Sequence, residues 1–186
     1  MSRPTNRLLV VMASATKIRK MRFADLFCGA GGVSEGLGGY TVSNRVLLGD
    51  IPGFHFQGSG EKSKRVDLAL RDRSDGTRTL VTAKWSVRAD RAEQFGTDFD
   101  AYVRSNTGAP FDYVLVTNEF DAARLKAACQ RLAGNTYLFT SVVHVNPVGV
   151  LRAYEGSSRG AAAHLGDLVA SGRLKGLGQW LSELME

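Results

Sequence analysis

Residues 65–117 constrain the fold more than any other part of the chain. Two runs rich in aliphatic and β-branched residues, V-D-L-A-L at 66–70 and T-R-T-L-V-T-A-K at 77–84, flank the turn signal Ser74-Asp75-Gly76, a pattern that predicts a β-hairpin. Positions 89–104 then switch period, with Ala92, Phe95, Phe99, Tyr102 and Val103 falling on one stripe of a helix. The apolar run Y-V-L-V-T at 113–117 reads as a further strand. Hairpin, helix, strand in that order requires an α/β domain with a mixed sheet flanked by helices.

The rest of the chain extends this plan. Residues 40–51 alternate weakly, and 52–64 are irregular. Asp121 is placed to cap a second helix that runs through Leu132 and stops at Gly134. A strand over 137–145 ends at Asn146-Pro147, and helical patterns follow at 161–170 and 177–185. The expected organisation is a basic tail or leader (1–22, with Met21 an alternative start), a glycine-rich segment (23–59) and one folded domain (60–186).

Charge narrows the partner class only through its location. The chain carries 24 basic and 18 acidic side chains, but Arg3, Arg7, Lys17, Arg19, Lys20 and Arg22 stand in a leader without acids, so the remainder balances at 18 against 18. A nucleic-acid surface must therefore come from a cluster, not from bulk charge. The apolar stretch 8–13 is too short for an export signal, and no run is long enough to span a bilayer. Cys28 and Cys129 have no metal-ligand spacing and are expected as reduced thiols in a cytoplasmic protein. His55, His144 and His164 share no spacing either and read as structural or surface groups. Trp85 reads as a core or subunit-contact residue.

In the hairpin, Asp67 near the start of one strand and Lys84 at the end of the other come side by side. A carboxylate beside a lysine suits metal-assisted phosphodiester hydrolysis. The carboxylate holds a hard divalent cation, while the ammonium orients the attacking water and offsets phosphate charge. A second carboxylate is needed. On a helical wheel Asp98 falls at the border of the apolar stripe, near Phe95 and Tyr102, whereas Glu93 and Asp100 point further toward solvent.

The run V-D-L-A-L…V-T-A-K-W-S-V-R-A-D-R resembles the PD-(D/E)xK nuclease superfamily, and more narrowly the type II restriction endonucleases that recognise CCGG-containing sites. The resemblance covers about residues 60–120. The superfamily has an acid two residues before the lysine, where this chain has Thr82. In the CCGG group that acid is replaced by a small residue and supplied by the following helix, which here implies Asp98 in place of the usual glutamate. The resemblance implies a restriction-endonuclease-like fold and catalysis by Asp67, Lys84 and Asp98. It also implies Mg²⁺ on Asp67 and Asp98, with the Ala83 carbonyl as an extra ligand. Arg88, Asp90 and Arg91 match the cluster that reads C·G pairs. Arginine can clamp guanine O6 and N7, and aspartate can accept from cytosine N4. The implied partners are double-stranded DNA and further copies of the chain, as a homodimer or homotetramer. Two other readings of the same residues are a non-cleaving DNA-binding remnant and a repair nuclease without site specificity.

Residues 25–37, D-L-F-C-G-A-G-G-V-S-E-G-L, resemble the first motif of DNA cytosine-5 methyltransferases. That family also needs a Pro-Cys nucleophile and a Glu-Asn-Val motif, and this chain has neither. The stretch is expected to be a glycine-rich strand and loop or a fusion scar from a neighbouring modification gene, not a methyltransferase site.

Overall fold

The computed structural model of the protein describes residues 39–55 and 64–185. The leader 1–22, the stretch 25–37 and Cys28 lie outside the described residues. In chain order the elements are β1 (Tyr40–Leu47), β2 (Arg65–Asp72), β3 (Arg78–Lys84), α1 (Ala89–Ser105), β4 (Phe111–Thr117) and α2 (Ala122–Gln130). They continue with a small ribbon of β5 (Leu132–Ala133) and β6 (Thr136–Tyr137), then β7 (Ser141–His144), α3 (Pro147–Ala153), α4 (Leu165–Ala170), β8 (Leu174–Gly176) and α5 (Leu177–Glu183).

Six strands form one sheet in the order β1-β2-β3-β4-β7-β8. β1, β2 and β3 are antiparallel, and β3, β4, β7 and β8 are parallel, which makes the sheet mixed. With helices flanking it, this is the α/β architecture expected of a restriction-endonuclease-like domain. No helix among the described residues is long and apolar enough to cross a membrane.

The hairpin forms as its sequence dictates. Ser74 N donates to Asp72 Oδ1 and Thr77 N to Asp75 Oδ1, each at 2.7 Å, and Gly76 adopts φ +78° to close the turn. Alternation then sorts the side chains onto two faces. Leu80, Tyr113 and Leu115 join Phe95 and Tyr102 of α1 and Leu125 of α2 in the larger core. Val81, Val114 and Val116 face the other way, onto Trp180 and Leu181 of α5. β1 is the edge strand of the same sheet, and the turn after it contributes Leu48, Ile51 and Phe54 to the larger core.

Arg78 ties that turn down. Its side chain is buried, donating to the carbonyls of Pro52, Ala109 and Pro110 and to Asn106 Oδ1, with the guanidinium 4.6 Å from the Phe54 ring centroid. Gly53 has φ +86°, and a Cβ there would stand 2.2 Å from Arg78 Nη1, so both conformation and space require glycine.

The structure departs from the sequence expectation at several places. Asp121 does cap α2, accepting from Arg124 N at 2.9 Å, but the helix ends at Gln130. Gly134 and Asn135 instead form the two-residue loop of the β5–β6 ribbon, Gly134 having φ +61°. The strand expected over 137–145 is confined to Ser141–His144. Asn146-Pro147 ends it and also starts α3, with Asn146 Oδ1 accepting from Gly149 N at 2.9 Å and Pro147 in the first turn. Leu174–Gly176 forms the short edge strand β8. Trp85 is 63% exposed, which removes the core alternative for it.

Candidate active site

The candidate site lies where β2 and β3 part. Their pairing begins at Leu68↔Val81, but β3 continues to Lys84 bonded only to β4, through Thr82↔Leu115, Ala83↔Val116 and Lys84↔Thr117. Asp67 stands at this fork. On its other side, β1 pairs with Leu68 and Val66 through Asn44 and Val46 but skips Arg45, whose φ of +48° lies in the left-handed region. A non-glycine residue held there costs on the order of 1–3 kcal/mol and is a feature of functional sites. It breaks the ladder directly opposite Asp67.

Asp67 Oδ2 takes up the donors exposed by the fork. It accepts from Ala83 N at 2.9 Å, Lys84 Nζ at 3.1 Å and, at the outer limit, Thr82 Oγ1 at 3.5 Å. Sequence spacing placed Asp67 and Lys84 side by side, and the structure brings them into an ion pair. No hydrogen bond falls on Asp67 Oδ1 from the described residues, and the side chain is 39% exposed.

Asp98 projects from α1. Its Oδ1 accepts from Lys64 Nζ at 2.7 Å, and Lys64 also reaches the Thr97 carbonyl at 3.4 Å. Lys64 is a partner that no pattern in the sequence announces, because it precedes β2 and meets the helix only in the fold. The rings of Tyr102 and Tyr113 meet edge to face at 5.3 Å. Burial raises the pKa of both phenols, and the charges of Asp98 and Asp67 raise them further.

The donor set fits a hard divalent cation in type. Asp67 Oδ1 and Asp98 Oδ2 are carboxylate oxygens with no hydrogen-bond partner among the described residues, while the other oxygen of each is paired to a lysine. No cluster of three or more His, Cys, Asp or Glu side chains able to hold a metal occurs among the described residues.

The proposed reading cluster begins four residues past Lys84. Arg88 is the residue that precedes the first turn of α1 and makes no capping bond, while its Nε lies 3.2 Å from Asp90 Oδ1. Both side chains are largely exposed, so this pair adds little stability and leaves both groups at the surface. The backbone of Arg91 continues the same helix turn.

Glu119 sets the entry to that helix, a role sequence reading missed. Its buried carboxylate accepts from Val87 N at 2.8 Å and Asp121 N at 2.9 Å, with Arg124 Nη1 at 3.5 Å. Val87 immediately precedes Arg88, so Glu119 fixes where the cluster starts. Glu119→Ala is expected to destabilise the fold by about 2–3 kcal/mol, because it leaves buried N–H donors unpaired. Urea unfolding measures this, and a loss below about 0.5 kcal/mol would refute the anchoring role.

His144 is fully buried beneath the same loop. Its Nδ1 accepts from Asn146 N at 2.9 Å, so Nε2 must donate to the Glu119 carbonyl at 2.8 Å, which fixes the neutral tautomer. Burial holds its pKa below the ordinary value of 6.5, against the opposing hydrogen bonds to Glu119 and Asn146. Near and below that pH the unfolded chain binds more protons at this site than the folded one, so stability rises with pH there. Its contribution is complete above about 6.5 and is lost as pH falls toward the depressed folded value. Unfolding curves of His144→Gln against pH should lack that step.

Cys129 is a free thiol with no exposed surface, and burial raises its pKa to about 12 while the Arg173 charge opposes the rise. It is chemically quiet. No protein-family model and no curated protein sequence matches the chain.

Proposed function

We propose that this protein is a Mg²⁺-dependent type II restriction endonuclease that cleaves double-stranded DNA at a C·G-containing, CCGG-like site. The observation that carries the reading is the Asp67–Lys84 contact at 3.1 Å where the hairpin opens. Asp98 stands on the covering helix, and Arg88, Asp90 and Arg91 lie at the start of that helix.

Asp67 and Asp98 would hold the cation through their free oxygens, with the Ala83 carbonyl as a further ligand. The bound ion supplies charge neutralisation at the phosphate and acidifies a water. Lys84, drawn toward the scissile phosphate by its place beside Asp67, orients the attacking water and offsets the charge that develops on the phosphate oxygens. Water oxygen bonds to phosphorus in line with the 3′ oxygen, which departs and takes up a proton, leaving 5′-phosphate and 3′-hydroxyl ends. Arg88 and Arg91 would clamp guanines and Asp90 would accept from cytosine, each correct pairing discriminating by roughly 1–3 kcal/mol. A palindromic site calls for a two-fold symmetric homodimer or a homotetramer.

One observation favours a second reading. The Lys64 ammonium occupies Asp98 Oδ1, and Thr82 stands where the superfamily has an acid. A non-cleaving DNA-binding remnant would look the same. Digestion of unmethylated plasmid DNA with Mg²⁺ separates the two. Discrete fragments whose mapped ends share one C·G-containing site support the restriction enzyme. Binding of C·G-rich duplex without cleavage under any divalent cation supports the remnant, and random cleavage supports a nuclease without site specificity.

A further inference from the structure

A groove between the start of α1 and α2 encloses a cavity of about 360 Å³, within the range of about 300–1,000 Å³ usual for small-molecule sites. One wall comes from α2 and the residue that ends it. Arg124, Ala127, Ala128 and Arg131 are spaced i, i+3, i+4 and i+7, so two small residues lie between two arginines on one face. Val87 and Phe95 stand on the opposite side, and with Ala128 they are buried and make an apolar floor. No acidic side chain lines the groove among the described residues. The two arginines are not equally committed. Arg124 Nη1 lies 3.5 Å from Glu119 Oε2, on a carboxylate that already accepts from Val87 N and Asp121 N. Arg131 makes no side-chain hydrogen bond or ion pair with any described residue. Its guanidinium reaches across to α1, where a Cβ added to Gly96 would stand 3.7 Å from Nη2. A half-buried cation set beside apolar surface without a counter-ion gains from an anion that brings an apolar body with it.

We propose that this groove binds a small carboxylate with an aromatic or aliphatic body. The Arg131 fork takes the carboxylate in a two-point contact, and the body lies over Phe95 and Ala128 toward Val87. Arg124 stands seven residues before Arg131, roughly 10 Å along the helix, and with Glu119 it bounds the far end. The apolar floor sets such a ligand apart from a nucleic-acid phosphate, which would meet the arginine and leave the floor uncovered. The groove shares no lining residue with Asp67, Lys84 or Asp98 and does not rest on the nuclease reading.

The test is calorimetric titration of the full chain with 2-naphthoate and, as its uncharged counterpart, 2-naphthamide. Naphthoate is expected to bind once per chain at about 0.1–1 mM, and the amide about tenfold more weakly. Arg131→Gln should weaken naphthoate about tenfold and leave the amide unchanged, a split that a merely structural loss would not produce. Ala127→Trp, at an exposed position of α2, should fill the groove and abolish binding of both probes. Circular dichroism checks that this variant stays folded, and Arg131→Gln decides the matter if it does not. No saturable binding of naphthoate, equal binding of the amide, or undiminished naphthoate affinity in Arg131→Gln would overturn the site. So would a chain that ignores naphthoate but loses affinity for duplex DNA in Arg131→Gln, which would give the arginine to a phosphate instead.

Discussion

Lys84→Ala is expected to lower Mg²⁺-dependent cleavage about 10²- to 10³-fold, the range seen when one preorganised group that stabilises developing charge is removed. The substitution takes away the ammonium 3.1 Å from Asp67 Oδ2 and leaves the Ala83 N–H bond to the same oxygen in place. The fork should therefore persist and DNA binding with it. Asp67→Asn should be as damaging to cleavage for a different reason. An asparagine can still accept from Ala83 N through its one remaining oxygen, so the strand end stays satisfied while the charge that would hold the cation is gone. A gel shift on C·G-containing duplex, run beside the cleavage assay, tells loss of chemistry from loss of binding. Cleavage within threefold of wild type in Lys84→Ala would remove the lysine from the mechanism.

The second large effect concerns stability and lies away from the proposed chemistry. Arg78→Met is expected to lower the unfolding free energy by about 3 kcal/mol. Methionine can lie across the Phe54 ring, but it donates nothing to the Pro52 carbonyl at 3.3 Å or to Asn106 Oδ1 at 3.0 Å. Those acceptors then sit next to buried surface without donors. Because Arg78 holds the loop after β1 against the loop before β4, its loss should loosen both together. Denaturant unfolding gives the magnitude, and a change under 1 kcal/mol would mean that water replaces the guanidinium at little cost.

The readable part of the fold was the part where one local signal dominates. β2, its turn, β3, α1 and β4 each carry a clean period or turn residue, and all five formed within a few residues of expectation. The hairpin brings Asp67 and Lys84 to the same mouth of the sheet, but its register would set Thr82 opposite Asp67, and the lysine reaches the carboxylate through its long side chain. Asp98, expected at the border of the helix's apolar stripe, is indeed half-buried there, with 18% of its side chain exposed. The ribbon after α2 and the strand β8 were missed because two- and three-residue strands are too short to alternate. They exist because a neighbouring strand or turn offers them partners. Lys64 and Glu119 were invisible for a further reason. Each owes its role to a group more than 25 positions away: Asp98 for Lys64 and Val87 for Glu119, 34 and 32 residues apart.

The turn at 73–76 has a consequence for how this protein can vary. It is polar and mostly exposed, the kind of loop in which lengths usually drift. Yet it sets the offset between β2 and β3 together with their buried side chains, because Asp72 and Asp75 lock its backbone from within. Removing or adding one residue there would turn Asp67 from the α1 side of the sheet to the α5 side, among Trp180 and Leu181, and bring Val66 or Leu68 to the fork in its place. Arg73 and Ser74 should tolerate substitution better than Asp75, which locks the turn, or Gly76, whose φ is +78°, and a change of length should be tolerated least. A surface segment that touches no substrate would then be among the least tolerant of insertion in the whole chain.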